Sequence, residues 1–180
     1  MVDADKLGPG ESDRALLILD MTLDRFRGPD AVPGAHDIVR FVQGELRYFR
    51  ERARPVVFAL QAAEKETPVI QELTPRTDEH VLRKPSPSAF FGTDLFELLC
   101  RQRVRRLTIV GLETHTSVLL TAADALSHGL EVVVPDPCVA ARDFEAHRFA
   151  LRLLREVWPH TWPARAPSTS SDGDRPLAAS

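Results

Sequence analysis

The sequence is poor in the residues that build disulfide frameworks and thiolate metal centres. Its 180 residues include two cysteines, Cys100 and Cys138, which lie far apart and match no Cys-x-x-Cys or Cys/His ligand spacing. We therefore expect two buried apolar side chains rather than a disulfide or a metal centre.

Long apolar runs and a basic surface are also missing, which excludes two classes of partner. No apolar run approaches the roughly 20 residues that cross a bilayer, and the acidic amino terminus lacks a signal-peptide pattern. The net charge of −3 is small, and Lys and Arg are scattered among Asp and Glu. We predict a cytoplasmic protein with neither a nucleic-acid nor a membrane partner.

What is present is an alternation of short apolar runs with helical patterns. Runs of strand length occupy 15–19, 56–60, 81–84, 107–110 and 130–135, and 157–158 is a candidate for a short sixth strand. The alternation predicts an α/β fold, a doubly wound, mostly parallel six-stranded sheet flanked by helices. One domain is expected over 14–162, with a flexible leader over 1–13 and a disordered tail over 163–180.

Three polar residues follow strands of this predicted sheet. Asp20 and Lys84 close the first and third strands, and Ser117 lies in the first turn of a helix that begins near Thr114 and stops at Gly129. Ligands of open parallel sheets bind at the carboxyl ends of the strands. The sequence therefore predicts that these three side chains converge on one site.

Four motifs in order carry a resemblance to a known family. Over about 14–155 the chain resembles the isochorismatase-like hydrolase superfamily, which includes cysteine-dependent amidases such as nicotinamidases and N-carbamoylsarcosine amidases. The motifs are Leu19-Asp20-Met21, Lys84 four residues before Ser88-Ala89-Phe90-Phe91, Gly111-x-x-Thr114-x-x-Ser117-Val118, and Asp143 to His147 at the start of the last helix.

The resemblance implies a hydrolase that cleaves a C–N bond of a small amide, ureide or imide. In the amidases the position of Ser117 is a nucleophilic cysteine, with the aspartate (here Asp20) as its base and the lysine (here Lys84) lowering the thiol pKa. The family geometry also implies an oxyanion hole from the N–H groups of Thr116 and Ser117, and often a cis peptide, here between Leu112 and Glu113.

Serine at position 117 departs from that pattern, because an alcohol is much harder to ionise than a thiol. It is an engineered replacement that traps a substrate, a natural and slow or inert variant, or a sign of chemistry without a nucleophile. His115 is a poor base for Ser117, since residues two apart on a helix point in different directions.

Two alternatives to the amidase remain open. Members resembling true isochorismatases have glycine at this position and use the aspartate to protonate a vinyl ether; the chain shares with them Gln61, Phe90 and His115, but Glu113 replaces a substrate-facing aromatic. The second alternative is a catalytically silent binding module in a homo-oligomer, a dimer or tetramer.

The ligand in each case is a small molecule, and no cofactor or metal is predicted. Nicotinamidases resembling this fold place an aspartate and two histidines after the second strand, whereas no histidine occurs here between His36 and His80. The predicted substrate-binding residues are Phe26, Gln61, Phe90, Glu113, His115 and Thr116.

Overall fold

The computed structural model describes residues 13–62 and 67–157. Strands and helices alternate along them as the sequence predicts. The strands are β1 (Arg14–Leu19), β2 (Val56–Gln61), β3 (His80–Lys84), β4 (Arg106–Leu112), β5 (Glu131–Val133) and β6 (Val139–Ala140). The helices are α1 (Ala35–Glu51), α2 (Leu95–Arg101), α3 (Leu119–Ser127) and α4 (Phe144–Val157); a π-helical turn, Thr114–Val118, runs directly into α3.

All strand pairs of the sheet are parallel. The order is β3-β2-β1-β4-β5, and β6 pairs with the end of β4. The predicted fold class, a parallel six-stranded sheet flanked by helices, is confirmed. Because the strands share one direction, the residues after β1, β2, β3 and β4 all emerge at the same edge.

Alternate residues of the central strands face two separate cores. Leu16 and Ile18 of β1 belong to the core beneath α1, whereas Leu17 and Leu19 belong to the core beneath α2, α3 and α4. Burying one such side chain stabilises the fold by about 1.5–3 kcal/mol. The sheet is thus held from both sides, and its carboxyl edge is a rigid platform. The α1 residues of the first core are Ala35, Ile38, Val42, Leu46 and Phe49.

The predicted sixth strand at 157–158 is wrong. Val157 is the last residue of α4, and position 158 lies outside the described residues, as do residues 1–12 of the predicted leader over 1–13 and the predicted tail over 163–180. The sixth strand is instead the two-residue β6, which follows a 3₁₀ turn at Asp136–Cys138. A strand this short has no periodicity to detect.

One expectation about burial is also wrong. Cys100 is exposed, although Cys138 is buried as expected. On α4, the aromatic side chains Phe144 and Phe149 are 65% and 54% exposed. Phe149 lies five residues before the buried Leu154, which is about 140° around a helix, and so it faces the opposite side.

The predicted start of α4 is confirmed. The Asp143 carboxylate caps the helix, accepting a hydrogen bond from the Ala146 N–H at 2.9 Å. No helix in the described segments combines the length and the apolar character needed to cross a membrane.

Candidate active site

Asp20 stands directly after β1 and anchors the site. It is 3% exposed and adopts a positive φ of 53°, which Asp tolerates better than most residues. Its Oδ1 accepts a hydrogen bond from the Gln61 N–H at 2.8 Å, which leaves Oδ2 for other partners. The backbone turn and this hydrogen bond therefore fix the direction of the carboxylate.

Lys84, the last residue of β3, is fully buried. Its ammonium donates to Asp20 Oδ2 at 2.9 Å, to Gln61 Oε1 at 3.0 Å and to Ser117 Oγ at 3.2 Å. A buried charge is costly unless it is paired and hydrogen-bonded, and here each of the three N–H donors has an acceptor. These three hydrogen bonds therefore fix the position of the ammonium and satisfy its donors without solvent.

Ser117 completes the arrangement from the π-helical turn after β4. Its side chain is buried, and its Oγ–H donates to Asp20 Oδ2 at 2.7 Å while Oγ accepts from Lys84. π-helical turns are rare and are frequent at functional sites. The structure thus brings together all three residues that the sequence singled out at the strand ends, with the serine hydroxyl between a carboxylate and an ammonium.

The turn between β4 and Ser117 differs from the one that the resemblance implies. The peptide between Leu112 and Glu113 is trans, as are all others in the described segments, and the chain turns instead through positive φ at Gly111 (120°) and Glu113 (58°). The Glu113 carbonyl accepts hydrogen bonds from the N–H groups of Thr116 at 3.1 Å and Val118 at 3.2 Å. The expected oxyanion-hole donor Thr116 is therefore occupied in this conformation, and the Ser117 N–H remains the candidate.

His115 does not act on Ser117 in this geometry. Its Nδ1 lies 3.7 Å from Glu113 Oε2, and the Ser117 hydroxyl donates to Asp20 instead. Glu113 Oε2 also accepts from the Arg142 N–H at 3.3 Å, which ties this turn to the loop before α4. His115 and Glu113 thus form a polar pair beside the site.

Thr114 and His147 form a contact that sequence reasoning missed. Thr114, considered above as the helix start and as part of the third motif, is fully buried, and its Oγ1 lies 2.8 Å from Nδ1 of His147 on α4. Burial lowers the pKa of His147, and the nearby His115 lowers it further. The sequence signals were Thr114 and His147 in two separate motifs, neither of which indicates that the two side chains meet.

The lowered pKa of His147 predicts an acid-sensitive fold. The unfolded chain binds a proton at His147 near the ordinary pKa of 6.5, whereas the folded state resists protonation. The contribution of His147 to stability is therefore fully present above about pH 6.5, and it is lost as the pH drops from there toward the folded pKa. Thermal melting between pH 7.5 and 5 should show a flatter pH dependence for His147→Gln than for the native chain. His80→Gln, at an exposed position of β3, is the control and should leave the slope unchanged.

The two aromatic residues predicted to bind substrate are held by protein contacts. Phe26 is 7% exposed and packs edge-on to His36 beside the α1 core. The Phe90 ring lies with its centroid 5.2 Å from that of His128, tilted by 34°, and packs on the other core. Phe90 follows a loop that is fastened to α3, where Thr121 Oγ1 accepts from the Ala89 N–H at 3.0 Å.

Among residues 13–62 and 67–157, no three His, Cys, Asp or Glu side chains group closely enough to hold a metal ion. The absence of a metal and of a cofactor stays a prediction from the sequence.

Comparison with known proteins identifies the family of the chain. The isochorismatase domain profile matches residues 14–164. The isochorismatase family protein YaaI of Bacillus subtilis is 28% identical over 166 residues, 82% of this chain and 91% of that protein. Maleamate amidohydrolase of Pseudomonas putida is 35% identical over 77 residues, 43% of this chain and 36% of that enzyme.

Solved structures agree with this assignment. N-carbamoylsarcosine amidase from Thermoplasma acidophilum superposes with a TM-score of 0.76 and 26% identity, covering 83% of this chain and 95% of that one. The profile match and the shared fold agree, and the residues at the strand ends occur in the order of the motifs. This chain therefore belongs to the isochorismatase family of hydrolases.

Proposed function

We propose that the protein hydrolyses a C–N bond of a small amide, ureide or imide, with Ser117 at the nucleophile position. The observation that carries the proposal is the hydrogen bond from Ser117 Oγ–H to Asp20 Oδ2 at 2.7 Å, with Lys84 Nζ 3.2 Å from the same oxygen atom of the serine. A nucleophile must lose a proton as it attacks, and the acceptor is already in contact.

The geometry suits a two-step acyl transfer. Ser117 Oγ attacks the carbonyl carbon while its proton passes to Asp20 Oδ2, and the oxyanion is stabilised by the Ser117 N–H. Asp20 then returns the proton to the leaving nitrogen as the C–N bond breaks, which leaves an ester on Ser117. Water attacks this ester, gives its proton to Asp20 and releases the acid, and the serine recovers its proton.

Lys84 supplies positive charge where negative charge develops. Its ammonium contacts both Asp20 Oδ2 and Ser117 Oγ, so it stabilises the deprotonated nucleophile without donating its own proton. The names of two of the similar proteins, N-carbamoylsarcosine amidase and maleamate amidohydrolase, support the choice of a C–N bond. With an alcohol in place of a thiol the reaction is expected to be slow, since an aspartate is a weak base for a hydroxyl.

The proposal predicts that position 117 is built for an anion. A thiol introduced by Ser117→Cys should titrate below the ordinary value of about 8.5, because Lys84 and the helix N-terminus favour the thiolate more than burial disfavours it. Lys84→Ala should raise that pKa by roughly one to three units, since it removes the cation and leaves the Asp20 charge unopposed.

The measurement is the pH dependence of alkylation by iodoacetamide. Cys100→Ser removes the exposed thiol from the background, and Cys138 reacts slowly because burial raises its pKa to about 12, with Glu45 adding to the effect. Arg47→Ala, at an exposed position of α1, serves as the charge-removal control and should have no effect. An introduced thiol with an ordinary pKa that Lys84→Ala leaves unchanged would contradict the proposed roles of Lys84 and position 117.

A further inference from the structure

The sheet places Gln61 between the two charged residues of the site. Gln61 ends β2, which lies between β1 and β3, and its Cα is the register partner of Lys84. From this position it contacts both Asp20 and Lys84. We infer that Gln61 is a positioning residue that acts through Lys84, rather than the substrate contact that the sequence predicts; this inference rests on the proposed function.

Both ends of the Gln61 amide are engaged by the same lysine. Oε1 accepts from Lys84 Nζ at 3.0 Å, and Nε2 donates to the Lys84 backbone carbonyl at 3.2 Å. These contacts fix the amide orientation, since the opposite orientation would set the NH₂ group against the ammonium, donor against donor. The side chain therefore holds Lys84 at its head and at its backbone.

The backbone of Gln61 secures the other charge. Its N–H donates to Asp20 Oδ1 at 2.8 Å, a contact that side-chain substitutions retain. A substitution at Gln61 therefore releases Lys84 while Asp20 stays in place. This separation allows the role of the amide to be measured by itself.

The amide supplies one of the three acceptors that surround the ammonium. Lys84 is fully buried, and its other acceptors are Asp20 Oδ2 and Ser117 Oγ. Without Gln61 Oε1, one N–H of the ammonium has no partner, and the group turns away from residue 117 toward any acceptor within reach. The cation then stabilises an anion at position 117 less well.

The test is a double-mutant cycle in the Cys100→Ser, Ser117→Cys background. We expect Gln61→Leu to raise the pKa of the introduced thiol by about 0.5–1 unit, a roughly 3- to 10-fold loss of alkylation rate at a pH below the pKa. Gln61→Met, which keeps the length of the side chain and has only a weakly accepting sulfur, should behave alike. Gln71→Leu, at an exposed position, is the matched control and should change nothing.

The second arm of the cycle adds Lys84→Ala. Because Gln61 acts through Lys84, Gln61→Leu should then have no further effect on the thiol pKa. Three results would overturn the inference and assign the amide another role. They are an equal effect of Gln61→Leu on the thiol pKa with and without Lys84, no effect in either background, and loss of folding in both Gln61 variants. If Lys84→Ala alone still raises the thiol pKa, those results contradict the inference about Gln61 but not the proposed function. Failure of the inference and failure of the proposed function are therefore distinguishable.

Discussion

Gly111→Ala should destabilise the protein by at least about 4 kcal/mol, a large share of the 5–15 kcal/mol that holds a typical domain together. Gly111 has a φ of 120° and is the register partner of Leu19. A Cβ there would collide with the Leu19 carbonyl oxygen and lie 2.8 Å from its nitrogen. Both neighbours are backbone, so neither the close approach nor the positive φ can be relieved by a side-chain rotation.

Urea unfolding followed by circular dichroism measures this loss. Gly44→Ala is the control, since Gly44 lies within α1 with no atom near its missing Cβ. It should stabilise the chain by up to about 1 kcal/mol, because alanine is the better helix former. If the free energy of unfolding of Gly111→Ala were within about 1 kcal/mol of that of the native protein, β1 and β4 would not approach each other so closely at Leu19 and Gly111.

Asp20→Asn should lower the rate of C–N hydrolysis by about 10²- to 10⁴-fold, the usual contribution of a general acid–base group. The amide retains an acceptor for the Gln61 N–H, but its NH₂ group then faces the Lys84 ammonium, which lies 2.9 Å from the native Oδ2. The proton of Ser117 loses its acceptor, and the leaving nitrogen loses its acid.

The same substitution leaves a buried ammonium without its counter-charge, which costs about 3–5 kcal/mol of stability. Combining Asp20→Asn with Lys84→Met removes that charge, so stability should recover while activity should not. Asp37→Asn, at an exposed position of α1, should change the stability by less than about 1 kcal/mol. Recovery of activity in the double variant would contradict a direct role for Asp20.

The convergence of the site was predictable because it follows from strand ends. Asp20 is the first polar residue after a buried apolar run, Lys84 ends a short strand pattern before Pro85, and Ser117 follows a glycine break. In a parallel sheet these positions meet at one edge whatever the details of the loops. That general rule needs no knowledge of side-chain contacts.

The parts of the site that the sequence did not reveal depend on local backbone geometry and tertiary packing. The strained φ of Glu113 turns its carbonyl toward the Thr116 N–H, and no sequence pattern encodes such a φ at a glutamate. The Thr114–His147 contact joins elements 33 residues apart. Gln61 was predicted as a substrate contact from the resemblance to isochorismatases, and only the register of β2 with β3 reveals that its amide lies against Lys84.

The most direct measurement of the central claim is ammonia or amine release from a panel of small primary amides, N-carbamoyl amino acids and cyclic imides. We predict turnover of at least one member by the Ser117→Cys variant, slower turnover by the native serine, and loss of both with Asp20→Asn. No turnover by either form would contradict the C–N hydrolase. If Ser117→Gly cleaved a vinyl ether and Asp20→Asn did not, the acid mechanism would replace it; ligand binding without turnover in every form would leave a silent module.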